Sequence, residues 1–107
     1  MKIHELKLST KYFKDVVDLK KTFEIRKNDR NFEVGDVLAL SAYDSFYHRY
    51  AKNGYITHRN QNDFCHLNEA DTIFFDITYI TDYEQKDGYV VMSIVPSKKI
   101  GLVDKIK

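Results

Sequence analysis

"KKTFEIRKNDR" (residues 20–30) packs five cationic side chains, two carboxylates and only two large apolar residues, Phe23 and Ile25, into eleven positions. So many charges read as a loop, yet Thr22-Phe23-Glu24-Ile25-Arg26 alternates with the period of two that marks a strand. Parity puts Phe23 and Ile25 on one face, and Thr22, Glu24 and Arg26 on the other. The apolar pair is expected to enter the core. The acid and the guanidinium would then be offered to whatever lies on the opposite side.

Working outward, Ile3 to Leu8 also alternates, with His4, Leu6 and Leu8 pointing one way and Ile3, Glu5 and Lys7 the other. Ser9 or Thr10 can cap a helix whose inward stripe is Phe13, Val16 and Val17, ending near Leu19 or Lys20. Asn28-Asp29-Arg30-Asn31 breaks regularity. Gly35-Asp36 marks a turn into the buried strand Val37–Leu40. Asp44 is expected to cap a short second helix through Phe46, Tyr47, Tyr50 and Ala51, stopped by Asn53-Gly54. Residues 57–68 read as a long polar loop.

Thr72 to Thr81 is strongly β-prone, with apolar residues on both faces, as in a central strand or one carrying a bulge. Asp87-Gly88 predicts a tight reversal before the strand from Tyr89 to Val95. Pro96 ends it, having no amide to donate. Ile100 to Val103 could add a short terminal strand. Five or six strands that do not alternate with helices predict a mainly β fold, a small mixed β-barrel with helices against its side.

At 107 residues the chain is expected to form one domain spanning 1–107. Apolar content of 43% and aromatic content of 14% suffice for a core, which argues against disorder. No apolar run approaches a membrane span, and the first residues carry no signal-peptide pattern. The single cysteine, Cys65, has no partner in the chain for a disulfide. The expected location is cytoplasmic. Charge is uneven: residues 1–30 carry nine Lys/Arg and five Asp/Glu, a net of +4, whereas residues 31–107 carry a net of −3. A cationic face for an anionic partner is one reading of this asymmetry. Mutual neutralisation of the two halves is the other.

"KKTFEIRKNDRNFEVGDVLAL" resembles a small bacterial and phage family of domains in the ASCH superfamily, which is PUA-like; "HELKL" and "DGYVVMSIV" are similar to its two ends. The likeness covers residues 3–43 and 72–95, leaving about 44–71 as an insertion. It implies a β-barrel pseudo-fold, a cationic cleft beside the first helix, and RNA or modified-nucleotide binding. Some relatives are hydrolases of nucleoside amides or ribonucleases. Lys21 and Arg26 match the lysine and arginine of the superfamily's Gly-x-Lys-x-x-x-x-Arg pattern. Leu19 stands where the glycine is expected. Glu24 stands where the amidohydrolases carry threonine.

The residues themselves support a binding reading. Glu24 accepts only and Arg26 presents a fork of donors, so together they can read the polar edge of a base. Lys20, Lys21, Lys27 and Arg30 would hold phosphates. The plainer alternative is that Glu24 and Arg26 simply pair. Arg30 could equally close its own turn, and His4 could be a core residue with one satisfied nitrogen. In the insertion, aromatics interleave with cations, a pattern suited to unstacked bases. Tyr55, His58 and Arg59 are candidates for a flap, while Phe46, Tyr47 and Tyr50 are expected to glue the second helix down.

If the protein is instead a hydrolase, Glu24 would be the general base, Lys21 the stabiliser of developing charge, and His4 a proton shuttle. A protein-interaction role would show as an exposed apolar patch on the insertion. No cofactor is expected. His48, His58, Cys65 and His66 fit no zinc spacing.

Overall fold

The computed structural model describes residues 1–54 and 61–99. Among them are seven strands and one α-helix: β1 (Ile3–Ser9), α1 (Thr10–Val17), β2 (Phe23–Lys27), β3 (Val37–Asp44), β4 (Arg49–Ala51), β5 (Phe64–Cys65), β6 (Thr72–Thr81) and β7 (Tyr89–Pro96). Single 3-10 turns occupy Gln61–Asp63 and Leu67–Glu69. Strand order is β2-β7-β6-β3-β4-β5, with β1 paired to β3. The fold is therefore mainly β, with one helix directly after the first strand. Ile100 to Val103 lie outside the described residues.

The chain contributes to two compact units in alternation. One comprises Met1–His4, Thr22–Leu38 and the chain from Phe74 onward; the other comprises Glu5–Lys21 and Ala39–Ile73.

In the first unit, β2, β7 and β6 form an antiparallel ladder. Phe23 faces Ser93 and Lys27 faces Tyr89 across β2 and β7; Ile80 faces Met92 across β6 and β7. The register slips between Ile77 and Tyr79, which is the irregularity expected of a strand with apolar residues on both sides. Phe32, Val37, Leu38, Phe75, Ile77, Val90, Met92 and Ile94 are buried. Gly35, at φ 94°, takes the left-handed turn that its missing Cβ permits. Its N–H donates to Ile77 O at 2.9 Å.

In the second unit, Ser9 Oγ accepts the Lys11 N–H at 3.3 Å and so caps α1. Phe13 and Val16 are buried, Val17 only partly. The helix stops two residues before the expected end. Leu19 adopts φ 60°, the left-handed conformation usually given to glycine after a helix. The Lys20 and Lys21 amides both return to Asp15 O at 2.9 Å. Gly54 presses against the Phe13 ring, and its N–H donates to Asp71 Oδ2 at 3.1 Å.

The second helix does not form. Asp44 ends β3, and its Oδ1 accepts the N–H groups of Phe46 and Tyr47, both at 3.0 Å. That is the bonding of a helix cap, used here to fold a turn. His48, at φ 57°, completes the reversal, and β4 returns along β3 with Tyr50 facing Tyr43. Phe46 is consequently 81% exposed and Tyr47 is exposed too, instead of anchoring a helix. In the described part of the polar loop, β5 pairs with β4, and two 3-10 turns lie at Gln61–Asp63 and Leu67–Glu69.

Candidate ligand-binding site

β2 has the two faces that parity requires, but they are turned the other way. Glu24 is buried, at 3% exposure, whereas Phe23 and Ile25 are 41% and 50% exposed. Register explains what receives the charged pair. Glu24 lies opposite Met92 and Arg26 opposite Val90, both buried residues of β7. Directly opposed side chains share a face, so the carboxylate and guanidinium rise from an apolar floor. Arg26 Nε donates to Glu24 Oε2 at 3.0 Å, and about a quarter of the arginine side chain (24%) meets solvent.

This inversion is expensive. Leaving two large apolar side chains half-exposed forgoes roughly 1–3 kcal/mol. Removing a carboxylate and a guanidinium from water costs several kcal/mol before their attraction is counted. Filling the same positions with apolar residues is commonly neutral or stabilising. A buried charge pair on a strand that exposes its apolar residues is therefore a candidate site.

His4 takes the inward direction expected of it and is 6% exposed. Its Nε2 lies 2.9 Å from Asp36 Oδ2, and the ring meets Phe32 edge-on at 4.7 Å between centroids. Because the carboxylate can only accept, Nε2 is the donor. Asp36 also accepts the Lys2 N–H at 3.0 Å on Oδ1 and the Glu33 N–H at 3.1 Å on Oδ2. Burial pushes the Asp36 carboxyl up. The bonds from His4, Lys2 and Glu33, together with the charge on His4, outweigh that and hold it below its usual range. These contacts make His4 a core residue, with one nitrogen satisfied by Asp36. Sequence reading took Asp36 only as a turn residue, since a partner 32 positions away leaves no local signal.

Among the predicted phosphate ligands, Lys27 and Arg30 are exposed in the unit of β2, and Arg30 Nε lies 3.9 Å from Asp29 Oδ1. Asn28 shapes this loop by accepting the Phe32 N–H on Oδ1 at 3.2 Å. Lys20 and Lys21 belong to the unit of α1, where the Lys21 Nζ and Lys11 Nζ each lie 5.5 Å from the Tyr12 ring centroid. In the insertion, Tyr47 packs on Phe46 and Phe64, and Arg49 lies over Phe64 at 5.5 Å. Burial and the nearby carboxylate of Glu69 raise the Cys65 pKa, so its thiol stays protonated at neutral pH. Tyr55, His58 and Arg59 lie outside the described residues.

Residues 3–94 match the family described as "Domain of unknown function (DUF3850)". Over 39 residues the chain is also 59% identical to the "Uncharacterized 12.9 kDa protein in GpA 3'region" of Escherichia phage P2. That alignment spans 36% of this chain and 36% of the phage protein. Among the described residues, no helix is long and apolar enough to cross a membrane.

Proposed function

The chain belongs to the DUF3850 family, and from that premise we propose that it is an ASCH-like domain that binds RNA or a modified nucleotide through Glu24 and Arg26. Glu24 accepts the donors of a base edge, and Arg26, the member of the pair with solvent access, offers its fork to base acceptors or phosphate. Lys20 and Lys21 before β2, Lys27 at its end and Arg30 after it supply sequence-independent attraction. One observation carries the reading: an acid and a guanidinium occupy the buried face of β2 while Phe23 and Ile25 stand outside. Pure stability is poorly served by that exchange.

The test is a panel of RNA oligomers and modified nucleosides, followed for both affinity and product. Glu24→Gln keeps the shape and removes the charge; it should weaken the best ligand by roughly 10- to 100-fold, the worth of a hydrogen bond to a charged group. Replacing Lys20 and Lys21 with Ala should lower the salt slope of RNA binding by up to about two phosphate contacts. Binding indifferent to Glu24→Gln, in a variant with unchanged circular dichroism, rejects the site. Product formation abolished by Glu24→Gln replaces the binding reading with hydrolysis.

A further inference from the structure

The turn between β3 and β4 is held firmly by its backbone, yet its rings stand in solvent. Asp44 Oδ1 accepts the Phe46 and Tyr47 amides, both at 3.0 Å. Ser45 Oγ donates to Ser9 Oγ at 3.1 Å, which ties the turn to the residue that caps α1. Even so, Phe46 is 81% exposed and Tyr47 57%. These rings are not isolated. Tyr47 meets Phe46 at 4.8 Å and Phe64 at 5.4 Å between centroids, with interplanar angles of 86° and 61°. The exposed Arg49 guanidinium lies 5.5 Å from the Phe64 centroid. Three rings and one cation thus run together within the second unit.

The charge around the rings points to an occupant. Residues 45–52 contain Phe46, Tyr47, Tyr50, His48, Arg49 and Lys52, and no carboxylate. Cations without acids complement a polyanion. Aromatic rings complement unpaired bases, because every base has a π-face. We propose that Phe46 and Tyr47 form a platform on which unpaired bases of single-stranded RNA stack, with Arg49 beside the strand's phosphates. The fixed backbone of the turn presents the rings ready-placed, so binding costs less ordering than it would on a loose loop.

The platform rests on the RNA-binding half of the function proposed above and adds a contact of another kind to it. Glu24 and Arg26 address the polar edge of one base and so discriminate. Rings address faces and accept any base. Paired bases hide their faces in the stack, so the platform selects single strands over duplexes.

The chain has no tryptophan, so Phe46→Trp places a single indole at the platform. In the full chain, oligouridylate or oligoadenylate about 12 nucleotides long should quench that indole, and duplex RNA of the same length should not. Phe46→Ala should weaken the oligomer by roughly 5- to 100-fold, the worth of one stacked base, with unchanged circular dichroism. Tyr47→Phe keeps the ring and should bind as the unaltered chain does. Arg49→Gln should lower the salt slope by up to about one phosphate contact. Equal quenching by duplex and single strand, or equal affinity in Phe46→Ala, overturns the platform. Glu24→Gln tells the two sites apart. If it weakens the oligomer and Phe46→Ala does not, the platform falls and the Glu24–Arg26 site stands; the reverse pattern upholds the platform and rejects that site. A modified nucleoside bound where no oligomer binds also removes the platform alone. Indole emission that shifts to the blue with rising protein concentration, and ignores the oligomer, assigns the rings to a protein contact and overturns the proposal.

Discussion

Asp36→Asn probes the scaffold of the first unit apart from the Glu24–Arg26 pair. The carboxylate gathers three donors at 2.9–3.1 Å: the His4 ring, the Lys2 amide and the Glu33 amide. Asn can keep the Lys2 bond through its oxygen, but its NH₂ then stands where Oδ2 received two N–H groups. His4 can shift its ring proton to Nδ1 and accept at Nε2; the Glu33 amide has no such remedy. Orphaning it costs about 1–3 kcal/mol, and losing the charge-assisted bond to His4 adds about 1 kcal/mol. The sum, near 3 kcal/mol, is a large share of a total that is usually about 5–15 kcal/mol. In a chain of this size the melting temperature should fall by roughly 15 °C.

The pH profile gives a second, independent readout. The Asp36 pKa is lowered in the folded state, so its stabilisation is complete above the unfolded value of about 3.9. It is lost as pH falls through the folded value. Urea denaturation followed by circular dichroism should therefore show the gap between wild type and Asp36→Asn narrowing as the pH falls below about 4. A loss under about 0.5 kcal/mol at pH 7, or a gap that does not narrow below about pH 4, would refute the account.

Replacing Glu24 and Arg26 together by Met and Leu should leave urea stability unchanged or raise it by about 1–4 kcal/mol, while Arg26→Leu alone destabilises by about 3–5 kcal/mol by taking the guanidinium away from a buried carboxylate. If the double variant is as unstable as the single one, the pair is structural. Leu19→Gly should gain about 0.5–1 kcal/mol in the same assay by relieving the left-handed backbone at φ 60°; a loss would mean that the half-exposed side chain outweighs the strain. Gly54→Ala drives a methyl group into the buried Phe13 ring and should cost about 1–3 kcal/mol; a neutral result would show that the ring can yield.

Much of the fold is legible in alternation alone. β1, β2, β6 and β7 fall close to their expected bounds, and the buried row His4, Leu6 and Leu8 follows from period two. β3 runs four residues past its expected end, with Ser41 and Ala42 also buried. Parity separates the two faces of β2 but carries no information on which one turns inward. The usual rule, apolar side in, fails at Glu24, where the inward face carries a paired carboxylate and guanidinium in place of apolar side chains. The expected helix at Asp44 fails for a different reason. A carboxylate that accepts the two amides beyond it is the local chemistry of both a helix cap and a turn, and the aromatic spacing at Phe46, Tyr47 and Tyr50 suits both. Only the pairing of Tyr43 with Tyr50 decides between them, and that is a tertiary fact.

The alternation of the chain between its two units bears on how the protein is born. Phe23 finds its ladder partner at Ser93, and the strand holding that serine is the last one described. During synthesis the Phe23–Lys27 stretch must wait for β7 until Ser93, 70 residues further along the chain, has been made. At typical elongation rates of about 5–20 residues per second, that delay lasts several seconds. Throughout it the nascent chain is a natural client for chaperones, and long-range closure of this kind slows the final folding step.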